Sequence, residues 1–214
     1  MKNITVLYED GDCIILNKPA GLAVQGGANV GASLDRLLAA EWKPEPLLVH
    51  RLDKDTSGVI LAAKTRESAR YFSEIIGSRA ARKVYRAICS GSPEPVSGTI
   101  SLPLEIRGRR KESLTQYQTI AGGGGYSLLE LELGSGRMHQ IRRHLSQIGT
   151  PVLGDGKYGD FRLNKKLGKE LGLKRLLLHA YRMVLPLPGG TSLDISAPPP
   201  DYFANLADRL FGPR

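Results

Sequence analysis

The sequence mixes short strands with a few helices, and two patterns predict that mixture. Apolar runs that alternate in character and end at turn residues fall at residues 4–8, 13–17, 83–88, 116–120 and 126–133, the signature of half-buried strands. Between them lie only a few stripes at helical spacing: Leu34, Leu37, Leu38 and Trp42; Ala69, Phe72, Ile75 and Ile76; Met138, Ile141, Leu145 and Ile148. Such a mixture is compatible with an α+β chain, but it selects no fold within that class. At 214 residues the chain can bury a substantial core as one domain, with room for two lobes.

Taken in order, Glu9-Asp10-Gly11-Asp12 separates the first two strands as a hairpin turn, and Lys18-Pro19-Ala20-Gly21 breaks the second. Residues Gly26 to Gly31 are glycine-rich and predict a mobile loop. Ser33 can cap the first helix, and Thr65 can cap the helix that carries Phe72, which Gly77 ends. The segment Ser78 to Lys83 is basic through Arg79, Arg82 and Lys83, and fits a solvated surface as well as a phosphate contact. In the strand that follows, Tyr85 falls on the face opposite Val84 and Ile88.

A loop at Gly91 to Gly98 precedes the densest basic cluster, Arg107, Arg109, Arg110 and Lys111. Phosphate binding rewards charge without fixed spacing, so the cluster suits contacts to a phosphate backbone; a solvated turn is an equal alternative. Gly122 to Gly125 then joins two strands as a hairpin turn. No Lys-Ser or Lys-Thr follows it to make a phosphate cradle.

Ser135 can cap the Met138 to Ile148 stripe, and Gly149 with Pro151 stops it. At 100° per residue Arg142 lies on the flank of that stripe and Arg143 points away, so Arg142 is the arginine that needs an acidic partner. His139 and His144 are five apart and lack the i, i+4 spacing of helical metal ligands. Arg162 to Lys174 reads as a basic surface helix or loop, Leu176 to Ala180 as a buried segment. Asp201 can cap a last helix carrying Phe203, Leu206 and Leu210. Ser135, Asp155 and His179 do not make a hydrolase triad, because nothing around Ser135 resembles a nucleophile elbow.

A formal charge of +9 and a pI near 9.7 point to a polyanionic partner, nucleic acid ahead of membrane. The two cysteines, Cys13 and Cys89, sit inside apolar runs with no metal-binding spacing. No stretch has the length of a bilayer span, and a cytoplasmic protein is expected.

The most informative stretch is His50-Arg51-Leu52-Asp53-Lys54-Asp55-Thr56-Ser57-Gly58, which runs into the apolar Val59 to Ala63. Asp53, Asp55, Ser57 and Gly58 match the opening of an EF-hand loop. The twelfth position, where that loop needs a bidentate acid, is Lys64, and the cation excludes calcium. What remains is one acid flanked by Arg51 and Lys54, both of which favour its ionised form.

This stretch resembles the signature of the RluA family of RNA pseudouridine synthases. The run from Tyr8 to Val24 resembles the start of that family's catalytic domain. Lys83-Val84-Tyr85-Arg86-Ala87 is similar to its KxYxA segment. Ser135 to Arg142 is similar to its TGRxHQIR motif, with serine where threonine is usual, and Pro151 to Gly159 resembles the continuation. The resemblance spans nearly the whole chain.

It implies an α+β pseudouridine synthase fold with a mixed, largely antiparallel central sheet, flanking helices and a central catalytic cleft. It also implies one catalytic domain over residues 1–214 with no upstream S4 domain. Asp53 is then the catalytic carboxylate, Arg142 its partner, and Tyr85 the residue that stacks on the base and moves a proton. Arg51 fills the space vacated by the flipped base; His50, Arg107, Arg109, Arg110, Lys111, Arg137 and His139 face RNA. No cofactor or metal is implied. The implied substrate is large-subunit ribosomal RNA ahead of transfer RNA, and the chain is expected to be a monomer. Two other classes compete with this one: an RNA-binding protein without catalysis, and an N-glycosylase that releases free base.

Overall fold

The computed structural model describes residues 4–27, 31–78, 80–106, 108–134 and 136–213. The fold is α+β, with a mixed, mostly antiparallel sheet and, among the described residues, five helices. The chain forms two compact units. One comprises Met1–Lys83 and Ala180–Pro198, the other Val84–His179 and Pro199–Arg214.

The first unit opens with the hairpin β1 (Thr5–Glu9) and β2 (Cys13–Lys18). Its turn is closed by the Asp10 carboxylate, which accepts the backbone N–H groups of Asp12 and Cys13. Helix α1 (Leu34–Glu41) follows, with Leu34 and Leu38 buried. Ser33 is its N-cap residue but makes no capping bond; its hydroxyl bonds the Asp35 carboxylate instead, and Trp42 lies beyond the helix as C-cap. The short β3 (Leu47–Leu48) and β2 both pair antiparallel with β4 (Ser57–Ala63), in which every residue is buried. Helix α2 (Arg66–Gly77) starts at a capping box between Thr65 and Ser68 and buries Phe72 completely.

The second unit is built on β5 (Arg82–Ser90) from Val84 onward, β6 (Ser97–Ser101), the two-stranded β7 (Leu104–Ile106) and β8 (Arg109–Lys111), β9 (Leu114–Gly123) and β10 (Tyr126–Leu133). Antiparallel ladders join β5 to β10, β10 to β9 and β9 to β6. The four-glycine segment resolves into the end of β9 and a two-residue turn, Gly124 at φ 59° and Gly125 at φ 82°. Positive φ at both central residues matches the twist of the flanking strands.

Helix α3 (Gln140–Gln147) is shorter than its stripe predicts. His139 takes left-handed backbone angles, φ 53° and ψ 29°, so the segment before it leaves the helical path and Met138 is 56% exposed instead of packed. The proposed cap Ser135 lies outside the described residues, as do Arg79, Arg107 and residues 28–30 of the glycine-rich loop.

Helix α4 (Phe161–Glu170) is the basic surface segment, capped by the Asp160 carboxylate on the N–H groups of Arg162 and Leu163. The buried run at Leu176 leads into β11 (Leu178–Pro186), most of which belongs to the first unit and pairs antiparallel with β12 (Ser192–Ser196). There Met183 and Leu185 join Cys13, Ile15, Val59, Leu61, Ala63 and Phe72 in one core cluster. Helix α5 (Asp201–Phe211) closes the second unit, burying Phe203, Leu206 and Ala207. Its N-cap is Pro200 rather than Asp201, which already lies in the first turn, and Leu210 is only partly buried.

Candidate active site

In the first unit, Asp53 sits half-buried between Leu52, anchored at 5% exposure, and the buried Thr56 and Ser57. Its carbonyl accepts the Thr56 N–H at 3.2 Å and closes a tight turn. Arg51, Lys54 and Asp55 are exposed. Gly58 ends the turn at φ 111°, and a Cβ there would lie 2.1 Å from the carbonyl oxygen of Ala180 in β11. Only glycine satisfies both the angle and the approach.

Lys18, which the sequence offered only as the residue before a breaking proline, proves to be central to this loop. It is fully buried, and its ammonium donates to the carbonyls of Pro19 at 3.0 Å, Leu22 at 2.9 Å and Lys54 at 3.1 Å. Three donors meet three acceptors, and one of them is the backbone next to Asp53. Burial lowers the Lys18 pKa to about 8, although the charges of Asp55 and Asp53 work against that fall. The available sequence signal was parity: Lys18 shares the β2 face of Ile14 and Leu16, both buried.

His50 turns inward to the sheet. Its Nε2 accepts the Leu61 N–H at 2.9 Å, which requires an unprotonated Nε2. Part of the residue's surface stays accessible, yet burial first, and the charge of Lys83 second, push its pKa down to about 4.

In the second unit, Tyr85 lies in β5 opposite Leu131 of β10 and is 9% exposed. Arg142 on α3 is also 9% exposed. The geometry supplies an acidic partner that spacing alone did not reveal. Asp155 accepts Nε of Arg142 at 2.7 Å and Nη2 at 2.8 Å, a bidentate pair. Asp155 also accepts the N–H groups of Lys157 and Tyr158. Burial alone would raise its pKa, but the bonds from Arg142, Tyr158 and Lys157 outweigh burial and hold it below the usual value. The Asp155 carboxylate is thus taken up by Arg142, Lys157 and Tyr158; His179 is buried beside Phe203.

The Tyr158 ring lies 5.3 Å from the Arg142 guanidinium, and its hydroxyl is 3.1 Å from Nδ1 of His139. His139 is thus joined to the surroundings of Arg142 through Tyr158. Arg137 is exposed, with its backbone N–H held by the Gln140 side chain. Arg109, Arg110 and Lys111 form β8, exposed throughout. Among the described residues no cluster of histidine, cysteine and acidic side chains could hold a metal ion.

Residues 12–147 match the family described as RNA pseudouridylate synthase. The chain is 33% identical over 258 residues to the mitochondrial pseudouridylate synthase RPUSD4 of Xenopus tropicalis, spanning 96% of this chain and 80% of that protein. It is 35% identical over 210 residues to ribosomal large subunit pseudouridine synthase C of Salmonella typhi, spanning 90% and 66% respectively. Among solved structures, human RNA pseudouridylate synthase domain containing 4 superposes with a TM-score of 0.83 at 28% identity, covering 98% of this chain and 94% of that one. The chain belongs to the RNA pseudouridylate synthase family. Its class of activity is accordingly that of an isomerase acting on uridine in RNA, as the RluA-type motifs implied.

Proposed function

We propose that the chain isomerises uridine in large-subunit ribosomal RNA, with Asp53 as the catalytic carboxylate, Arg142 as its positioning arginine and Tyr85 as the ring that stacks on the base. The observation that carries this reading is the treatment of Asp53: the backbone on both sides is locked by Lys18, Leu52, Thr56 and Gly58, while the acid itself stays half-accessible. A reactive group held on a rigid support and left open to substrate is what an active site needs. In the reaction the bond from N1 to the ribose breaks, the base turns, and the sugar rejoins at C5. The C5 proton leaves and N1 regains one, so the product is an isomer. Tyr85 assists that proton's movement, and Arg51, exposed beside Asp53, fills the space left by the flipped nucleotide.

Ribosomal RNA is favoured because relatives carry that substrate in their names, such as the Salmonella synthase above, and because the surroundings of Lys157 to Gly159 and Lys174 to Leu176 resemble ribosomal members. The test is tritium release from RNA labelled at uridine C5, with large-subunit ribosomal and transfer RNA transcripts side by side. Release from the ribosomal transcript alone, lost by roughly 10²- to 10⁴-fold in Asp53→Ala, is expected, the range that general acid–base catalysis contributes. Release from transfer RNA alone would move the substrate class. Unchanged release in Asp53→Ala would remove Asp53 from the chemistry.

A further inference from the structure

Within the second unit, a cavity of about 300 Å³ lies between the segment after α4 and one face of α5. From α5 come Tyr202, Asn205, Leu206 and Arg209, the i, i+3, i+4, i+7 set that shares a helical face; from the segment come Lys174 and Arg175. Three of the ten lining residues are cations and none is an acid; the acids nearest in sequence, Glu170, Asp201 and Asp208, stay off the wall. The Arg175 guanidinium lies 5.9 Å from the centre of the Tyr202 ring, and Arg209 donates to the Leu171 carbonyl at 3.3 Å, so both arginines are held in place.

The backbone beneath is fixed as well. A Cβ on Gly154 would lie 2.0 Å from the Arg175 carbonyl oxygen, and the Leu177 N–H bonds the Leu153 carbonyl at 2.9 Å. Upstream, α4 presents Arg162, Lys165, Lys166 and Lys169, all exposed and again at the spacing of one helical face.

Apolar floor, aromatic ring with an arginine over it, amide edge and cationic rim together match one chemical object. Unpaired RNA bases stack on aromatic rings and guanidinium planes, and their phosphates seek lysine and arginine. We propose that this cavity binds one unpaired nucleotide of the RNA substrate, its base against Tyr202 and Arg175 with the Asn205 amide at its edge, its phosphates on Lys174 and Arg209. The α4 cations carry the adjoining backbone. This proposal rests on the assignment of RNA as substrate and adds a second anchoring point to it.

The probe is an octamer of adenosines, which contains no uridine and cannot enter the isomerisation. Binding is measured by fluorescence anisotropy across a salt series, using the full chain. Lys174→Ala/Arg175→Ala should weaken the octamer roughly tenfold and flatten the salt dependence by about 0.7 of a unit of slope, the share of the one phosphate contact, on Lys174, that it removes from a single strand. Tyr202→Leu should weaken it by a similar factor with the slope unchanged, because stacking carries no counterions. Ultraviolet cross-linking of the unaltered protein should place adducts on residues 171–177 and 202–209, which keeps the test independent of any variant's folding.

The proposal is overturned if an equal double substitution on α2, Arg66→Ala/Arg70→Ala, weakens the octamer as much, or if the adducts map elsewhere. Free AMP binding as tightly as the octamer would equally overturn it, making a mononucleotide the occupant. Uridine conversion is assayed on the same preparations. Its absence in the wild type would sink the enzymatic assignment, and the octamer would still decide the cavity.

Discussion

Asp155 is the residue whose removal separates support from chemistry most clearly. It accepts two bonds from Arg142 while itself 1% exposed. Breaking one side of a buried ion pair costs about 3–5 kcal/mol. Asp155→Ala is therefore expected to lower the urea midpoint sharply. Asp155→Asn, which keeps an acceptor oxygen and the size of the side chain, should lose less stability than Asp155→Ala and still bind RNA, while converting uridine more slowly. If that variant turned over at the wild-type rate, orientation of Arg142 by Asp155 would be irrelevant to the reaction. The sequence placed Arg142 on the flank of its helix and in need of an acid. Asp155 stood only thirteen residues on, yet nothing in local spacing connects a helix to the loop that follows it.

At the scale of elements, α3 is tied to β9 by a buried polar cluster. Thr115 Oγ1 lies 3.1 Å from Nε2 of Gln140 and 2.9 Å from Nδ1 of His144, and Nε2 of His144 lies 3.0 Å from the Leu102 carbonyl. A carbonyl only accepts, so the imidazole proton sits on Nε2 and the threonine hydroxyl donates to Nδ1. Thr115→Val keeps the shape and deletes the hydroxyl. It should cost about 1–3 kcal/mol, the desolvation penalty of groups left without that partner, read as a drop in the urea midpoint at constant slope. No midpoint change would mean the cluster adds nothing to the attachment of α3. Helical periodicity located this helix but overran its start, because a left-handed residue at His139 is a single-residue event that no repeat can register.

For the whole molecule, charge and pH are the levers. With a formal charge of +9, RNA affinity should fall steeply with salt. Replacing Arg109, Arg110 and Lys111 of the exposed β8 with alanine should flatten that dependence by up to about two units of slope, leaving the maximal rate unchanged. An unaltered slope would make β8 a solvated strand.

Two histidines set the acid limit. Burial lowers the pKa of His144, and burial with the charge of Lys83 brings His50 to about 4. An unfolded histidine titrates near 6.5, so below that pH the unfolded chain takes up protons that the folded chain refuses. Both contributions are complete above about pH 6.5 and are lost as pH falls, that of His50 as pH falls through about 4. Melting temperature should decline through that window, and His50→Gln should decline less. Parallel curves for the two proteins would remove His50 as a source. Asp155 acts below it: its depressed pKa supplies stability that is present above about pH 3.8 and lost as pH falls further.

Residue order alone yielded the alternating strands β1, β2, β5, β9 and β10, the family, the acid, tyrosine and arginine motifs and the basic surface, because each of these is written in contiguous residues through alternation, motif or charge; the short strands β3, β6, β7, β8 and β12 carry no such pattern and were not foreseen. Tertiary structure decided what joins residues distant in the chain or turns on one backbone angle. Lys18 became a loop clamp only when Leu22 and Lys54 brought their carbonyls to it. His50 was read as facing RNA; that its Nε2 is taken by the backbone of β4 was visible only in the fold. Gly58 and Gly154 are indispensable because Ala180 and Arg175 press their carbonyls against them. Hydrogen bonds and close packing depend on positions in space, and the order of residues encodes those positions only through the completed fold.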